Sequence, residues 1–224
     1  MLFNDFIKYI SKIEKETLIS IDAHAKMAPS ERISFLKKEN YIKRKTKKAA
    51  VLMLFYPKNS ITHLALILRN SYPGVHSSQV GFPGGKVEKT DKNLIMTALR
   101  ETHEEVGIPP EKIQIIRPFS EIYIPPSNFL VTPYMGIAYE ELKFTPDVKE
   151  VKCVLEFSIA ELLDDNRITK VMMTTSYASE IEVPAFLVEK YIVWGATAMM
   201  MSELKETILH VMLEHDLSDL KKTL

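Results

Sequence analysis

The stretch GFPGGKVEKTDKNLIMTALRETHEEVGI, Gly81 to Ile108, runs from a glycine-containing turn into a helix-forming segment, and the rest of the chain is best read outward from it. Between Leu94 and Val106 the helical period of about 100° per residue puts Ile95, Ala98, Leu99, Thr102 and Val106 on one face, which suits packing against a sheet. Glu101, Glu104 and Glu105 share a neighbouring arc. Carboxylates three or four positions apart on a helix repel by roughly a few tenths of a kcal/mol per pair. A divalent cation reverses that sign, because hard ions such as Mg²⁺ take carboxylate, water and substrate phosphate oxygens as ligands. A solvated acidic face is the plain alternative. The preceding turn tips the balance: Gly84-Gly85 permits backbone geometry closed to other residues and a close approach to an ion or phosphate, and Pro83 restrains its entry. Gly107 suits the left-handed conformation that ends a helix promptly.

Upstream, AAVLMLFYP (Ala49–Pro57) and ITHLALILR (Ile61–Arg69) are apolar, strand-like runs separated by Lys58-Asn59-Ser60, the gap of a hairpin. Downstream, IQIIRPF (Ile113–Phe119), FLVTPYMGIAY (Phe129–Tyr139) and EVKCVLEFS (Glu150–Ser158) add β-rich segments punctuated by Pro and Asn, and Ala196 to Leu217 reads as a long C-terminal helix. Strands before and after an internal helix, without regular βαβ alternation, predict an α+β sandwich with helices packed on a mixed sheet. Near the N-terminus, Phe3, Phe6, Ile7, Ile10, Ile13 and Leu18 recur at the helical spacing, predicting one helix from Phe3 to Leu18. A second short helix is expected in ERISFLKKEN, with Ser30 as its N-cap and Glu31 at its positive start. Together these form an N-terminal helical extension, residues 1–40, on a domain spanning 41–224.

Bulk properties narrow the function classes. With 224 residues, 46% hydrophobic and 26% charged, the chain has an ordinary globular composition and enough length for one well-buried domain with extra segments. Lys plus Arg equals Asp plus Glu at 29 each, so no net field draws nucleic acid or an anionic membrane, and neither is expected as a partner. The run Lys37 to Lys48 carries seven basic residues and one acid, which reads as a solvated connector ahead of a phosphate-gripping patch. The single cysteine, Cys153, excludes an internal disulfide and fits a reducing compartment and a small buried hydrophobe. The start MLFNDFIKYISKIEKE lacks the basic head and apolar core of a signal peptide, and no window reaches membrane-spanning length, so a cytoplasmic location is expected.

The run RETHEEVGI, Arg100 to Ile108, resembles the closing half of the Nudix box, Arg-Glu-aliphatic-x-Glu-Glu-x-Gly-aliphatic, with Thr102 at the aliphatic position. Asp91 lies six residues after Gly85 and nine before Arg100, one residue more than the usual box, with Asp in place of its Glu. That spacing looks like the branch of the family that hydrolyses coenzyme A (CoA). The stretch LILRNSYPGVHSSQVGFPGG resembles that branch's extended motif through Arg69, His76, Gln79 and Phe82-Pro83-Gly84-Gly85. Asn70 interrupts the usual Arg-Ser pair, and Ser78 and Gly81 stand where Gly and Ser are commoner. FLVTPYMG (Phe129–Gly136), PDVKEV (Pro146–Val151) and VWGATA (Val193–Ala198) also look like segments of that branch.

The resemblance implies a Nudix-like α/β/α sandwich that uses Mg²⁺ or Mn²⁺ to split the CoA diphosphate into 3′,5′-ADP and 4′-phosphopantetheine. It implies Glu101 and Glu105 as first-choice metal ligands, Glu104 as a further ligand or an orienter of metal-bound water, and the Gly85 carbonyl as an extra ligand. Arg100 corresponds to the family arginine that aims a box carboxylate. Glu150 and Glu121 are the candidates for general base, with Glu150 preferred. Arg69, His76, Gln79, Gly84 and Gly85 are expected to contact substrate or to hold the glycine turn, and Asp91 to help cap the helix. Met199, Met200 and Met201 read as core fillers before an acyl path, and Trp194 as a packing residue unless it faces the cleft. The partner is then a small nucleoside-diphosphate molecule, with a homodimer left open. The competing readings are a Nudix hydrolase of ADP-ribose or dinucleotides, a ligand-sensing module that lost catalysis, and, more distantly, a nucleic-acid module resting on the basic run.

Overall fold

The computed structural model describes residues 1–36, 45–71, 78–174 and 180–222. In chain order, helices α1 (Phe3–Phe6), α2 (Ile10–Lys15), α3 (Ile21–Ala25) and α4 (Ser30–Leu36) precede strands β1 (Lys47–Lys58), β2 (Ile61–Arg69), β3 (Val80–Gly81) and β4 (Gly84–Lys86). There follow α5 (Leu94–Val106), β5 (Gln114–Pro118), β6 (Ile122–Ile124), β7 (Phe129–Ile137), β8 (Val151–Ser158) and α6 (Ile159–Leu163). Strands β9 (Ile168–Met173), β10 (Ile181–Val188) and β11 (Tyr191–Trp194) lead into α7 (Gly195–Lys222).

β1 is the spine. It pairs antiparallel with β2 through a two-residue turn, where Asn59 and Ser60 both take positive φ, the conformation whose twist matches a hairpin. On its other side it pairs parallel with β7, which makes the sheet mixed; β4 pairs with β1, β3 and β8 with β2, and β5 and β6 with β7. Successive β1 side chains point to opposite faces: Met53 and Phe55 enter one core cluster, Leu52, Leu54 and Tyr56 the other. A strand covered on both sides reads as an unbroken apolar run, which is how this one reads. Ala98 and Val106 of α5 close one face; Met199, Met201, Leu204 and Ile208 of α7 close the other, together with Phe6 and Ile13 from the N-terminal helices. The result is the α/β/α sandwich with a mixed sheet that the sequence implies.

Local outcomes differ in places. The helix expected from Phe3 to Leu18 is broken by a 3₁₀ turn at Ile7–Tyr9 and stops at Lys15, where Arg117 Nη1 donates to the carbonyls of Ile13 and Glu16 and so satisfies the helix end. Ser30 is inside α4 rather than its cap, since Pro29 supplies the carbonyl that accepts from Arg32 and Ile33. The small sheet β11-β10-β9 was not foreseen. β9 is only half-buried along its length, and Pro184 inside β10 argues against a strand from sequence alone. Cys153 is half-buried against the core. The basic residues before Lys45 and the boundary at residue 40 lie outside the described residues, among which no helix is long and apolar enough to cross a membrane.

The N-terminal segment is fastened by one buried acid. Glu203 on α7 has a fully covered side chain and accepts from the Ser20 and Ser120 backbone amides at 3.0 and 3.1 Å and from Ser120 Oγ at 2.6 Å, while His24 Nε2 lies 3.3 Å away. Burial pushes its carboxyl up, but the hydrogen bonds from His24 and Ser120 outweigh burial and hold it below the ordinary value of 4.5. A lowered folded pKa contributes stability that is present above the ordinary value and lost as pH falls through the folded one. Glu203→Ala should therefore lower unfolding free energy by about 3 kcal/mol near neutral pH, because several buried donors lose their acceptor. Urea unfolding at neutral and strongly acidic pH checks this, with a smaller difference expected in acid.

Candidate active site

β4 is short because its glycines serve a different purpose from strand propagation. Gly84 sits at φ 149°, and a Cβ there would stand 2.4 Å from the Ala50 carbonyl oxygen; at Gly85 a Cβ would stand 2.5 Å from the Glu101 carboxylate. The missing side chain at Gly84 lets β4 lie close against β1, and that at Gly85 lets α5 lay Glu101 directly against the sheet. The turn is then tied to the arc: the Gly84 amide donates to Glu105 Oε2 at 2.8 Å, and the Gly84 carbonyl accepts from Arg69 Nη2 at 2.9 Å. Arg69 Nη1 forms an ion pair with Glu105 Oε1 at 2.9 Å, an oxygen that has no aligned hydrogen bond.

Negative charge is in excess here. The Glu105 side chain is 1% exposed, and burial, reinforced by the charges of Glu101 and Glu150, pushes its carboxyl up to about 7 against the opposing pull of Arg69 and the Gly84 amide. Glu101 is also raised, first by burial and then by Glu104 and Glu150, with Arg100 opposing. Crowded carboxylates and a glycine backbone that allows close approach form the oxygen donor set a hard divalent cation needs, so the residues present fit Mg²⁺ or Mn²⁺.

Arg100 is the organiser of the outer layer. Its guanidinium reaches Glu101 Oε1 at 3.0 Å, Glu104 Oε2 at 2.8 Å, both oxygens of Asp91 at 3.0 Å and the Lys86 carbonyl at 3.1 Å. Asp91 thus has a role other than capping: Asn93 caps α5 by accepting from the Met96 amide, while Asp91 accepts from Arg100, Thr97 and the Glu88 amide. The Arg100 hydrogen bonds hold its carboxyl well below the usual carboxylate range. At the far end of α5, Gly107 takes the left-handed conformation (φ 74°), and its amide donates to the His103 carbonyl.

Glu101 and Glu105 open into a cavity of about 610 Å³. Arg69, Gln79, Gly84, Gly85 and Glu150 of the sequence-derived set line it as well, whereas Glu104 does not and is 58% exposed. Glu121 accepts from Thr132 Oγ1 at 3.0 Å and stands outside the cavity wall. His76 lies outside the described residues. The remaining wall comes from segments that sequence reasoning left out of the site: Ile124 and Ser127 beside β6, Phe129, Arg32 from α4, and Trp194 and Met200 where β11 meets α7. Trp194 therefore faces the cleft. Met199 and Met201 are core, but Met200 between them is both nearly buried and part of the wall.

A profile of the NUDIX domain matches residues 45–172, more than half of the chain. The chain belongs to the Nudix family. It is 38% identical over 145 residues to the uncharacterized Nudix hydrolase NudL of Enterobacter sp. (strain 638), covering 63% of this chain and 72% of that protein. It is 34% identical over 152 residues to the protein of the same description from Pectobacterium atrosepticum, with 63% and 72% covered. Among solved structures, a MutT/nudix family protein from Enterococcus faecalis aligns over 86% of this chain and 78% of its own at 16% identity and a TM-score of 0.47. This Nudix protein is accordingly a hydrolase acting on pyrophosphate bonds, and members of the family generally need divalent cations such as Mg²⁺ or Mn²⁺.

The raised Glu105 carboxyl gives a test of the charge excess. A raised folded pKa favours the folded state at low pH, and that contribution is lost as pH climbs from the ordinary 4.5 through about 7. The metal-free Nudix protein should lose stability over that window, and millimolar Mg²⁺ or Mn²⁺ should restore it by holding the ionised form. A melting-temperature series is expected to show a larger metal-induced rise at about pH 8 than at about pH 5; equal rises at both would contradict the charge excess.

Proposed function

We propose that this Nudix hydrolase cleaves the diphosphate linkage of CoA or acyl-CoA, giving 3′,5′-ADP and (acyl-)4′-phosphopantetheine. The observation that carries the reading is the buried Glu105 and half-buried Glu101 opening onto a cavity whose lining also includes the apolar Ile124, Phe129, Trp194 and Met200. Such a cavity suits a molecule with a doubly charged linker between an aromatic base and a long, mostly uncharged arm. The Arg69, Gln79 and Phe82-Pro83-Gly84-Gly85 motif supports the same substrate.

In the reaction, one bond forms between water oxygen and a diphosphate phosphorus, and the bond from that phosphorus to the bridging oxygen breaks. Glu101 and Glu105, with the Gly85 carbonyl, would hold Mg²⁺ or Mn²⁺, which would supply charge neutralisation and a more acidic water. Glu150, exposed at the mouth yet close enough for its charge to act on both buried carboxylates, takes the proton from the attacking water. Arg69 and the Gly84 amide keep Glu105 aimed, and Asp91 fixes Arg100, which in turn restrains Glu101; Glu104 shares Arg100 from the solvent side.

Incubation with Mg²⁺ or Mn²⁺ and a panel of CoA, acetyl-CoA, ADP-ribose, NADH and diadenosine phosphates should show the highest kcat/KM for a CoA compound, with 3′,5′-ADP as product. Glu105→Gln should lower that turnover at least about a hundredfold while the protein stays folded. Absence of 3′,5′-ADP, or unchanged turnover in the variant, would overturn the substrate or the metal role respectively.

A further inference from the structure

The wall of the cavity opposite the carboxylates contains two polar groups that hydrolysis itself does not use. Arg32, on α4, is only 8% exposed yet lines the cavity, and its Nη2 donates to the Tyr123 carbonyl, which anchors the side chain against β6. Ser127, in the turn between β6 and β7, also lines the cavity, and its buried hydroxyl has no hydrogen-bond partner among the described residues. A buried guanidinium and an unsatisfied hydroxyl on one wall of an otherwise apolar surface are the elements of a subsite for an anion.

The sheet register sets their distance from the metal-binding end. Ala50 pairs with Gly85 on one side and with Thr132 on the other, and Phe129 is three residues before Thr132 on β7. At about 3.3 Å per residue the Phe129 end lies roughly 10 Å along the sheet from the glycine turn, and Ser127 lies beyond it. That separation is of the order spanned by the ribose between a 5′-diphosphate and a 3′-phosphate together with the reach of an arginine side chain. Arg32 also lies outside residues 45–172, which the family profile matches.

We propose that Arg32, assisted by Ser127, binds the 3′-phosphate on the ribose of CoA and sets a preference for that substrate over the same molecule lacking this phosphate. The assignment rests on the CoA reading above. A planar guanidinium matches phosphate oxygens through paired N–H donors, which lysine's ammonium does not reproduce. The role is one of specificity: the 3′-phosphate takes no part in bond breaking, so Arg32 acts through substrate affinity.

Steady-state kinetics on CoA and dephospho-CoA decide the matter. The native enzyme is expected to favour CoA in kcat/KM by about ten- to a hundredfold, the worth of a charge-assisted contact. Arg32→Ala should collapse that ratio mainly through the KM for CoA, Arg32→Lys should recover part of it, and Ser127→Ala should reduce it to a smaller degree. Because Arg32 is buried and its removal could compromise folding, the unmodified enzyme provides a second test: 3′,5′-ADP should inhibit it at least about ten times more strongly than 5′-AMP. Equal kcat/KM for the two substrates, equal inhibition by the two nucleotides, or parallel losses on both substrates in a folded Arg32→Ala would overturn the proposal. Turnover of neither CoA nor dephospho-CoA would remove the CoA reading itself, and this assignment with it.

Discussion

The site depends on one steric and electrostatic fact: Gly84 leaves no Cβ between two paired strands, and Gly85 leaves none between the sheet and a helix, where the Glu101 carboxylate occupies the space so vacated. Gly84 presses its backbone against Ala50 and gives its amide to Glu105, and Gly85 leaves room for the Glu101 carboxylate within 2.5 Å of where a side chain would begin. Once the buried Glu105 and the half-buried Glu101 stand beside each other, their mutual repulsion must be balanced. Arg69 and Arg100 balance part of it from within the protein, and what remains is a negative charge excess that a divalent cation can balance. The packing, the perturbed carboxyls and the chemistry are therefore consequences of the same close approach.

Much of this was legible in sequence because the relevant signals are local. The α5 helix spans Leu94–Val106 as its periodicity predicts, the hairpin turns at Asn59-Ser60, and Gly107 stops the helix in the left-handed conformation. The placing of two carboxylates on one helix face is also local, since a fixed period puts Glu101 and Glu105 side by side. What was not legible depends on distant segments meeting. Asp91 looks like a helix cap until Arg100 is seen to reach it with both arms of its guanidinium, and Trp194 looks like core until β11 is seen to end at the cleft. The small β-sheet escaped because half-buried strands and an internal proline blur the alternation that identifies a strand.

The cavity divides its labour between elements of different origin. The sheet and α5 supply the charge-handling end, and the β6–β7 turn, α7 and α4 supply the far wall. The N-terminal helices share the core cluster of α7, Ile33 and Leu36 of α4 pack against it, and Glu203 ties Ser20, His24 and Ser120 together. Precision at the far wall is thereby coupled to the rigidity of the sandwich, which is what substrate discrimination requires.

Electron paramagnetic resonance titration of Mn²⁺ into the native protein and into Glu101→Gln/Glu105→Gln tests the shared-ion idea most directly, because free and bound Mn²⁺ are counted without any substrate. Saturable binding in the native protein that disappears in the double variant, with the fold intact, is the predicted result. The same Mn²⁺ affinity and stoichiometry in both proteins would mean that the buried carboxylates do not hold the ion.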